Sequence, residues 1–293
     1  MRLLDATGAV LIAILLACSS ARAEDAHERA LATAQVALDH RDYERAIGLY
    51  GGLLADPGLA ADIQAYVHNC RGIAYNGEGR YALALEDFDA AIRLRPIYPE
   101  AFSNKGISHR ALRQLDAALE DYSAALRLKP SFPEALANRG NVYRDRNDFG
   151  HALADFDAAL ALAPDYAEGY NDRGTLFELM KDFNRAAQDF TKALSIDPTY
   201  ADAYFNRGSA YGNLRRMDDA IADFSAAIRI KADFPEAYFY RGNAHAAKHD
   251  FEAAIADYDF ALRLKPDYAQ AFYNRAFLQG LIARAGQARF GLP

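Results

Sequence analysis

Few side chains in this 293-residue sequence stand at spacings that could do chemistry. His245 and His249 lie one helical turn apart beside Asp250, a spacing at which two imidazoles could face one metal ion. His68 lies two residues from Cys70, pairing the residue types of a base and a thiol nucleophile. Acids recur in pairs, Asp87 with Asp89 and Asp155 with Asp157, the types that acid–base hydrolysis needs. Each set is incomplete. The His68 and Cys70 pair brings no third member and no oxyanion motif, and no apolar pocket around the paired acids would raise one pKa above the other. Carboxylates on neighbouring packed helices would lie about 8–10 Å apart, within the range of inverting glycosidases, so spacing alone leaves hydrolysis open. No catalytic residue, metal ligand set or cofactor is assigned.

These residues are positioned by an internal repeat. Asn69-Cys70-Arg71-Gly72, Asn104-Lys105-Gly106, Asn138-Arg139-Gly140, Asp172-Arg173-Gly174, Asn206-Arg207-Gly208, Tyr240-Arg241-Gly242 and Asn274-Arg275-Ala276 follow one another at steps of 34 residues. Twelve residues after each glycine stands an alanine: Ala84, Ala118, Ala152, Ala186, Ala220 and Ala254. Four further on come Phe88, Tyr122, Phe156, Phe190, Phe224 and Tyr258. Pro96, Pro130, Pro164, Pro198 and Pro266 then stop the segment; Ala232 breaks that series, and Pro235 opens the next helix as Pro99 and Pro133 do. This period is that of a helix-turn-helix array. Glycine facing alanine lets two helices approach closely, and the aromatic fills the space beside that contact. In this frame His245 and His109 occupy the place of Tyr75, Tyr143 and Tyr211, which favours core packing over metal binding. Upstream, Tyr43, Ala46 and Tyr50 fit the second-helix pattern, but Ala46 precedes Ala84 by 38 residues, so a first repeat carries four extra residues near 56–62.

These residues resemble the tetratricopeptide repeat family over Ala26 to Ala285. The resemblance implies an all-α fold, a right-handed α-solenoid (superhelix) of 34-residue helix-turn-helix repeats with a C-terminal capping helix. The expected organisation is a divergent first repeat over 24–64, six regular repeats over 65–268, a capping helix over 269–285 and a tail over 286–293. Repeats then consume the chain and leave no separate catalytic domain. An interaction scaffold or assembly factor is expected, holding an extended or helical segment; the rival reading is an envelope enzyme or ligand-binding protein that uses the acids of its inner face.

In that family the first helix of each repeat lines the inner groove, and its variable positions contact the partner. Carried over by position, the candidates are Glu134, Ala137, Asn138 and Asn141; Glu168, Asn171, Asp172 and Thr175; Asp202, Phe205, Asn206 and Ser209; Glu236, Phe239, Tyr240 and Asn243; and Tyr273 with Asn274. The amides Asn104, Asn138, Asn206 and Asn274 can bond both donors and acceptors of an extended backbone, although they could equally bridge neighbouring repeats. Phe205, Phe239, Tyr240 and Tyr273 are of the type that anchors interfaces. Glu100, Glu134 and Glu236 each follow a proline in a first helical turn, where a carboxylate complements the helix dipole. The basic residue before each glycine, Arg71 to Arg241, accompanies Asp87 to Asp257 sixteen residues on, and an ion pair within ~4 Å is expected in each repeat, with Arg275 reaching Asp257 instead. Some family members clamp a carboxylate-ended ligand with lysines, an arginine and asparagines. Only the asparagine element is present here, with acids where the lysines would stand, so a neutral or basic segment is the expected partner.

The first residues read differently. Arg2 precedes an uncharged apolar run from Gly8 to Ala17 and small residues ending Ala21-Arg22-Ala23, the layout of an export signal over 1–23. A cut before Glu24 is favoured. Leu15-Leu16-Ala17-Cys18 also resembles a bacterial lipobox, and a cut after residue 17 would leave Cys18 as an acylated first residue and the only membrane tether. The expected location is periplasmic or secreted, or anchored as a lipoprotein. Loss of Arg2, Asp5 and Arg22 removes a net +1 and takes the formal charge from −7 to −8, which argues against nucleic acid as a partner. In a chain cut before Glu24, Cys70 is the remaining thiol and no intrachain disulfide can form.

Overall fold

The computed structural model describes the backbone of residues 21–289 and the side chains of residues 27–284. The expected signal segment up to residue 20, with Cys18, and residues 290–293 lie outside the described residues. The chain divides into two compact units, Met1–Val142 and Tyr143–Pro293. Among the described residues the structure is entirely helical.

The first unit holds α1 (Ala21–Asp39), α2 (Tyr43–Leu54), α3 (Ala61–Gly77), α4 (Tyr81–Leu94), α5 (Pro99–Ala111) and α6 (Leu115–Leu128), and α7 (Pro133–Asp145) up to Val142. The second holds the last turn of α7, then α8 (Phe149–Leu162), α9 (Ala167–Leu179), α10 (Phe183–Ile196), α11 (Ala201–Asn213), α12 (Met217–Ile230), α13 (Pro235–Ala247), α14 (Phe251–Leu264) and α15 (Ala269–Arg289). Within each unit consecutive helices pack in pairs and successive pairs stack, the α-solenoid arrangement. The four extra residues of the first repeat enter as one added turn: α3 has 17 residues where α5 has 13. The helix expected over 269–285 continues to Arg289.

Turn chemistry explains why each first helix stops where it does. Arg41, Gly79, Arg113, Asn147, Lys181, Arg215 and His249 all adopt positive φ, near +60° in the six that are not glycine. A residue in this conformation ends a helix, and Gly79 takes it without the steric cost the others carry. Three of the aspartates that follow cap the second helix: Asp148, Asp182 and Asp250 accept hydrogen bonds from the backbone N–H of His151, Arg185 and Ala253 at 3.2, 3.1 and 3.3 Å, whereas Asp42 makes no such bond. His249 is therefore a turn residue. Its neighbour His245 places Nδ1 3.3 Å from the Asp250 carboxylate, and no group of three potential metal ligands exists among the described residues.

The pairs close where a ring meets a glycine. A Cβ added at Gly174 would lie 2.6 Å from the Phe190 ring, at Gly208 2.9 Å from Phe224 and at Gly242 2.8 Å from Tyr258. In the first unit the same holds for Gly72 against Phe88 and Gly106 against Tyr122, at 2.6 and 2.9 Å. The rings and the alanines four residues before them are buried. The first repeat instead closes around Tyr50, Leu53, Val67 and Cys70, with the Tyr50 and Tyr66 hydroxyls both donating to Gln35 Oε1 at 3.2 and 3.0 Å. Burial pushes the Cys70 thiol up to about 11, which makes it an inert core residue.

Gly212, near the end of α11, has nothing within 4 Å of an added Cβ. Gly212→Ala should therefore stabilise by about 0.5–1 kcal/mol, whereas Gly208→Ala four residues earlier should destabilise by about 1–3 kcal/mol. Denaturant melts of the two variants check this; equal and same-signed effects would contradict the proposed ring contact.

Candidate functional site

Four of the arginines beside the glycines form the expected ion pair, and they do so as a two-pronged fork. Arg173 Nε and Nη2 donate to Asp189 at 2.7 and 2.8 Å, Arg207 to Asp223 at 2.7 and 2.7 Å, and Arg241 to Asp257 at 2.9 and 2.6 Å. In the first unit Arg71 grips Asp87 at 2.8 Å through both donors. Burial alone would raise the Asp87 carboxyl, but the Arg71 fork and the His68 imidazole, 2.7 Å away, outweigh it and hold Asp87 below the usual range. Lys105 cannot fork: its Nζ sits 2.9 Å from Asp89 and 3.8 Å from Asp121. Burial therefore keeps Asp121 raised, even with His109 Nδ1 2.6 Å away. Arg275 corrects the expectation made for it, because its Nη1 donates to Asp259 at 2.6 Å and not to Asp257. Asp259 lies sixteen residues before Arg275, as Asp157 does before Arg173.

The amides are largely spent between repeats. In the second unit Asn206 Nδ2 donates to Asn171 Oδ1 at 2.9 Å and Asn274 Nδ2 to Asn243 Oδ1 at 3.0 Å; Asn243 also accepts from the Tyr258 hydroxyl at 2.7 Å. In the first, Asn104 Nδ2 donates to Asn69 Oδ1 at 3.0 Å. Asn141 and Asn171 are buried. The row of amides is a ladder tying first helix to first helix, the alternative left open by the sequence, because a buried amide must satisfy its groups locally. Glu134 and Asn138 are half-buried on α7.

The aromatic residues divide. Phe205 packs 4.9 Å from the Phe234 ring and 5.7 Å from Phe224, and Phe239 packs 4.8 Å from Tyr268. Phe239 is 8% exposed and Phe205 is half-buried against the core, so neither is a free anchor. Tyr240 stands edge-on against them at 5.5 and 5.3 Å and remains 41% exposed; Tyr273 is 69% exposed. Aromatic faces buried by the next repeat are unavailable to a partner, and of these four residues Tyr240 and Tyr273 offer theirs.

Acids gather on the second unit. Asp202 is exposed, Glu168 and Asp172 are half-buried, and Arg144 lies 4.0 Å from Asp172. Burial raises the Tyr200 phenol, and the charges of Asp172, Glu168, Asp202 and Asp197 raise it further. Glu236 is engaged within its own repeat by Lys265 at 3.7 Å, as Glu100 is by Lys129 at 3.1 Å. Such exposed pairs contribute little to stability.

Family models described as tetratricopeptide repeat match residues 31–99 and, as consecutive units, 133–166, 167–200 and 201–234; one described as TPR repeat matches 108–144 and 242–281. The chain belongs to the tetratricopeptide repeat family. Among solved structures it resembles a chain of the APC/C hetero-tetramer Cut9-Hcn1, with a TM-score of 0.67 at 16% identity over 85% of this chain. It spans 55% of that chain's length. A tetratricopeptide repeat protein from Parabacteroides merdae matches with a TM-score of 0.63 at 18% identity, over 87% of this chain and 99% of that one. YrrB, described as a TPR protein with an unusual peptide-binding site, matches with a TM-score of 0.53 at 23% identity, over 66% of this chain and 99% of that one. At such identities the likeness shows the shared fold. No curated protein matches the sequence. A tetratricopeptide repeat array is a protein–protein interaction module, and the chain is a scaffold of that general kind.

One residue of this array was not singled out from the sequence. Glu178, near the end of α9, has its Oε1 buried without a hydrogen-bond partner. Burial pushes its carboxyl up to about 7, and a hydrogen bond with the Ser209 hydroxyl offsets only part of that. The sequence does carry a signal: four residues after the tetratricopeptide glycine the other repeats have Asn76, Arg110, Arg144, Gly212 and Ala246, and only this one has an acid. Unfolded, the group titrates near 4.5. Between that value and about 7 the folded chain keeps a proton that the unfolded chain has lost, so stability falls as pH rises through this window and stays lower above it. Glu178→Gln should match the parent at pH 4 and exceed it at pH 8, by about 2–4 °C in Tm for each kcal/mol relieved. Parallel melting curves with no pH-dependent difference would show that Glu178 is ionised in the fold.

Proposed function

We propose that the acidic first-helix face of the second unit holds a neutral or basic segment of a partner protein, extended or helical, and that the chain acts as an assembly factor through it. The observation that carries this reading is the set of carboxylates Glu168 and Asp172 on α9 and Asp202 on α11, whose charges all act on Tyr200. Exposed Tyr240 adds an aromatic surface, and Glu178 adds a carboxyl that a lysine or arginine would ionise on approach. Peptide as the ligand class is supported by the peptide-binding site in the description of YrrB, which shares this fold.

Fluorescence anisotropy with labelled twelve-residue Lys/Ser and Glu/Ser peptides tests the charge preference. The basic peptide should bind more tightly, and Glu168→Gln, Asp172→Asn and Asp202→Asn combined should cut its affinity about tenfold or more at low salt. Equal binding of both peptides, or indifference to the triple variant, would refute the reading.

We also infer export, from the apolar run Gly8 to Ala17 and the small residues that follow it. Intact-mass measurement of the protein from its native host should give an N-terminus at Glu24 or an acylated Cys18; a chain retaining Met1 would refute export.

A further inference from the structure

Helix α15 is a first-type helix with an empty half of an ion pair. In the preceding repeats the arginine does two things: Nε and Nη2 fork onto the aspartate sixteen residues on, and Nη1 reaches back to the previous second helix, at 2.6 Å for Arg173 to Asp157, 3.1 Å for Arg207 to Thr191 and 3.0 Å for Arg241 to Ser225. Arg275 keeps the backward bond, 2.6 Å to Asp259, and its guanidinium lies 5.5 Å from the Phe272 ring centre. Arg207 and Arg241 lie 5.6 Å from Tyr204 and Tyr238 in the same way. The pose is thus reproduced, but no carboxylate meets the fork: Arg275 Nε is buried and has no hydrogen-bond partner. A buried guanidinium N–H without an acceptor is unfavourable, and a fork already held in place is half of a strong, geometrically specific pair.

The surroundings match a missing helix. Phe272 is 59% exposed and Phe277 58%, while Tyr273 stands 34 residues after the buried Phe239 and is open to solvent. Residues 269–289 contain no Asp or Glu but include Arg275, Arg284 and Arg289, in a chain of net charge −7. An acidic helix with one apolar face complements this surface. Ala276 adds a restriction. It stands where Gly174, Gly208 and Gly242 stand, and a Cβ at those glycines would lie 2.6, 2.9 and 2.8 Å from the ring that follows the paired aspartate. An aspartate followed by Phe or Tyr therefore cannot seat on α15 as it does elsewhere, whereas an aspartate followed by a smaller aliphatic residue can.

We propose that α15 is a docking site for an amphipathic helix of a partner protein, with an aspartate completing the Arg275 fork and an aliphatic residue after it resting on Ala276. The site lies apart from the acidic face and selects the opposite charge.

A probe can be made from this chain's own second helix: a fluorescein-labelled peptide of residues 249–266 carrying Tyr258→Leu, titrated into the full chain. Saturable binding is expected, about tenfold or more weaker when the peptide also carries Asp257→Asn. Arg275→Gln in the protein should erase that difference. Ala276→Gly should reverse the preference, so that the peptide retaining Tyr258 binds at least as well as the leucine peptide. Equal affinity with and without Asp257→Asn, or no gain for the tyrosine peptide on Ala276→Gly, would overturn the proposal. Concentration-dependent dimerisation of the unliganded chain that Arg275→Gln abolishes would also overturn it, by assigning the face to a second copy.

Discussion

The contact between a glycine backbone and an aromatic ring sets the geometry of the regular repeats within each unit. At Gly174 and Phe190 the ring occupies the space that a Cβ would take, so the two helices sit closer than ordinary side chains allow. That approach fixes the rest by proximity. The arginine preceding the glycine faces the aspartate preceding the ring, which brings Arg173 and Asp189 into a two-bond fork between the helices. The alanine four residues before the ring, Ala186, is buried because no larger residue fits beside the same approach.

An ion pair so enclosed is retained for geometry more than for net energy. Taking Asp87 and Asp121 out of water costs several kcal/mol each before any pairing, and only a well-formed fork recovers it. The two repeats show the difference. Arg71 supplies two donors to Asp87 and holds it below the ordinary carboxylate range, whereas Lys105 supplies a distant point charge and Asp121 stays raised despite His109. His109 stands where a tyrosine stands in other repeats, and its imidazole restores the second donor that lysine lacks. These histidines are thus accessories of the fork, and their resemblance to catalytic pairs follows from the same short contacts.

Period, glycine, aromatic and proline were enough to define the helices, their pairing and the ion pairs, because each recurs at most steps and each has one steric or electrostatic reason. What one sequence could not rank was competition for the same side chain. Asn206 and Asn274 suit a peptide backbone as well as a neighbouring amide, and only the closeness of successive first helices decides for the ladder. Phe205 and Phe239 likewise suit an interface or a core, and the next repeat's Phe234 and Tyr268 take them. Arg275 was misassigned by one helical step for a related reason. Its backward bond goes to Asp259, two residues beyond the expected Asp257 on the same helix, a contact that pairing by equal spacing within one repeat does not reveal.

Binding capacity in such an array must lie in what repetition does not consume. A side chain present in every repeat is engaged in a contact that every repeat makes, as the arginines, the aspartates and most of the amides are. Residues that depart from their column are left out of those shared contacts. Glu178 is an acid where other repeats have Asn, Arg, Gly or Ala, and its buried Oε1 has no partner because the repeat provides none. Ala276 replaces glycine, and beside it Arg275 keeps a pose whose purpose elsewhere is to grip an aspartate. Deviation alone is a weak sign, since His109 deviates and is fully used. Deviation together with an unsatisfied buried polar atom is stronger, because the fold bears a cost there that its own contacts do not relieve. Glu178 meets both conditions; at the other site the two are shared between neighbours, Ala276 departing from its column and Arg275 carrying the unsatisfied nitrogen.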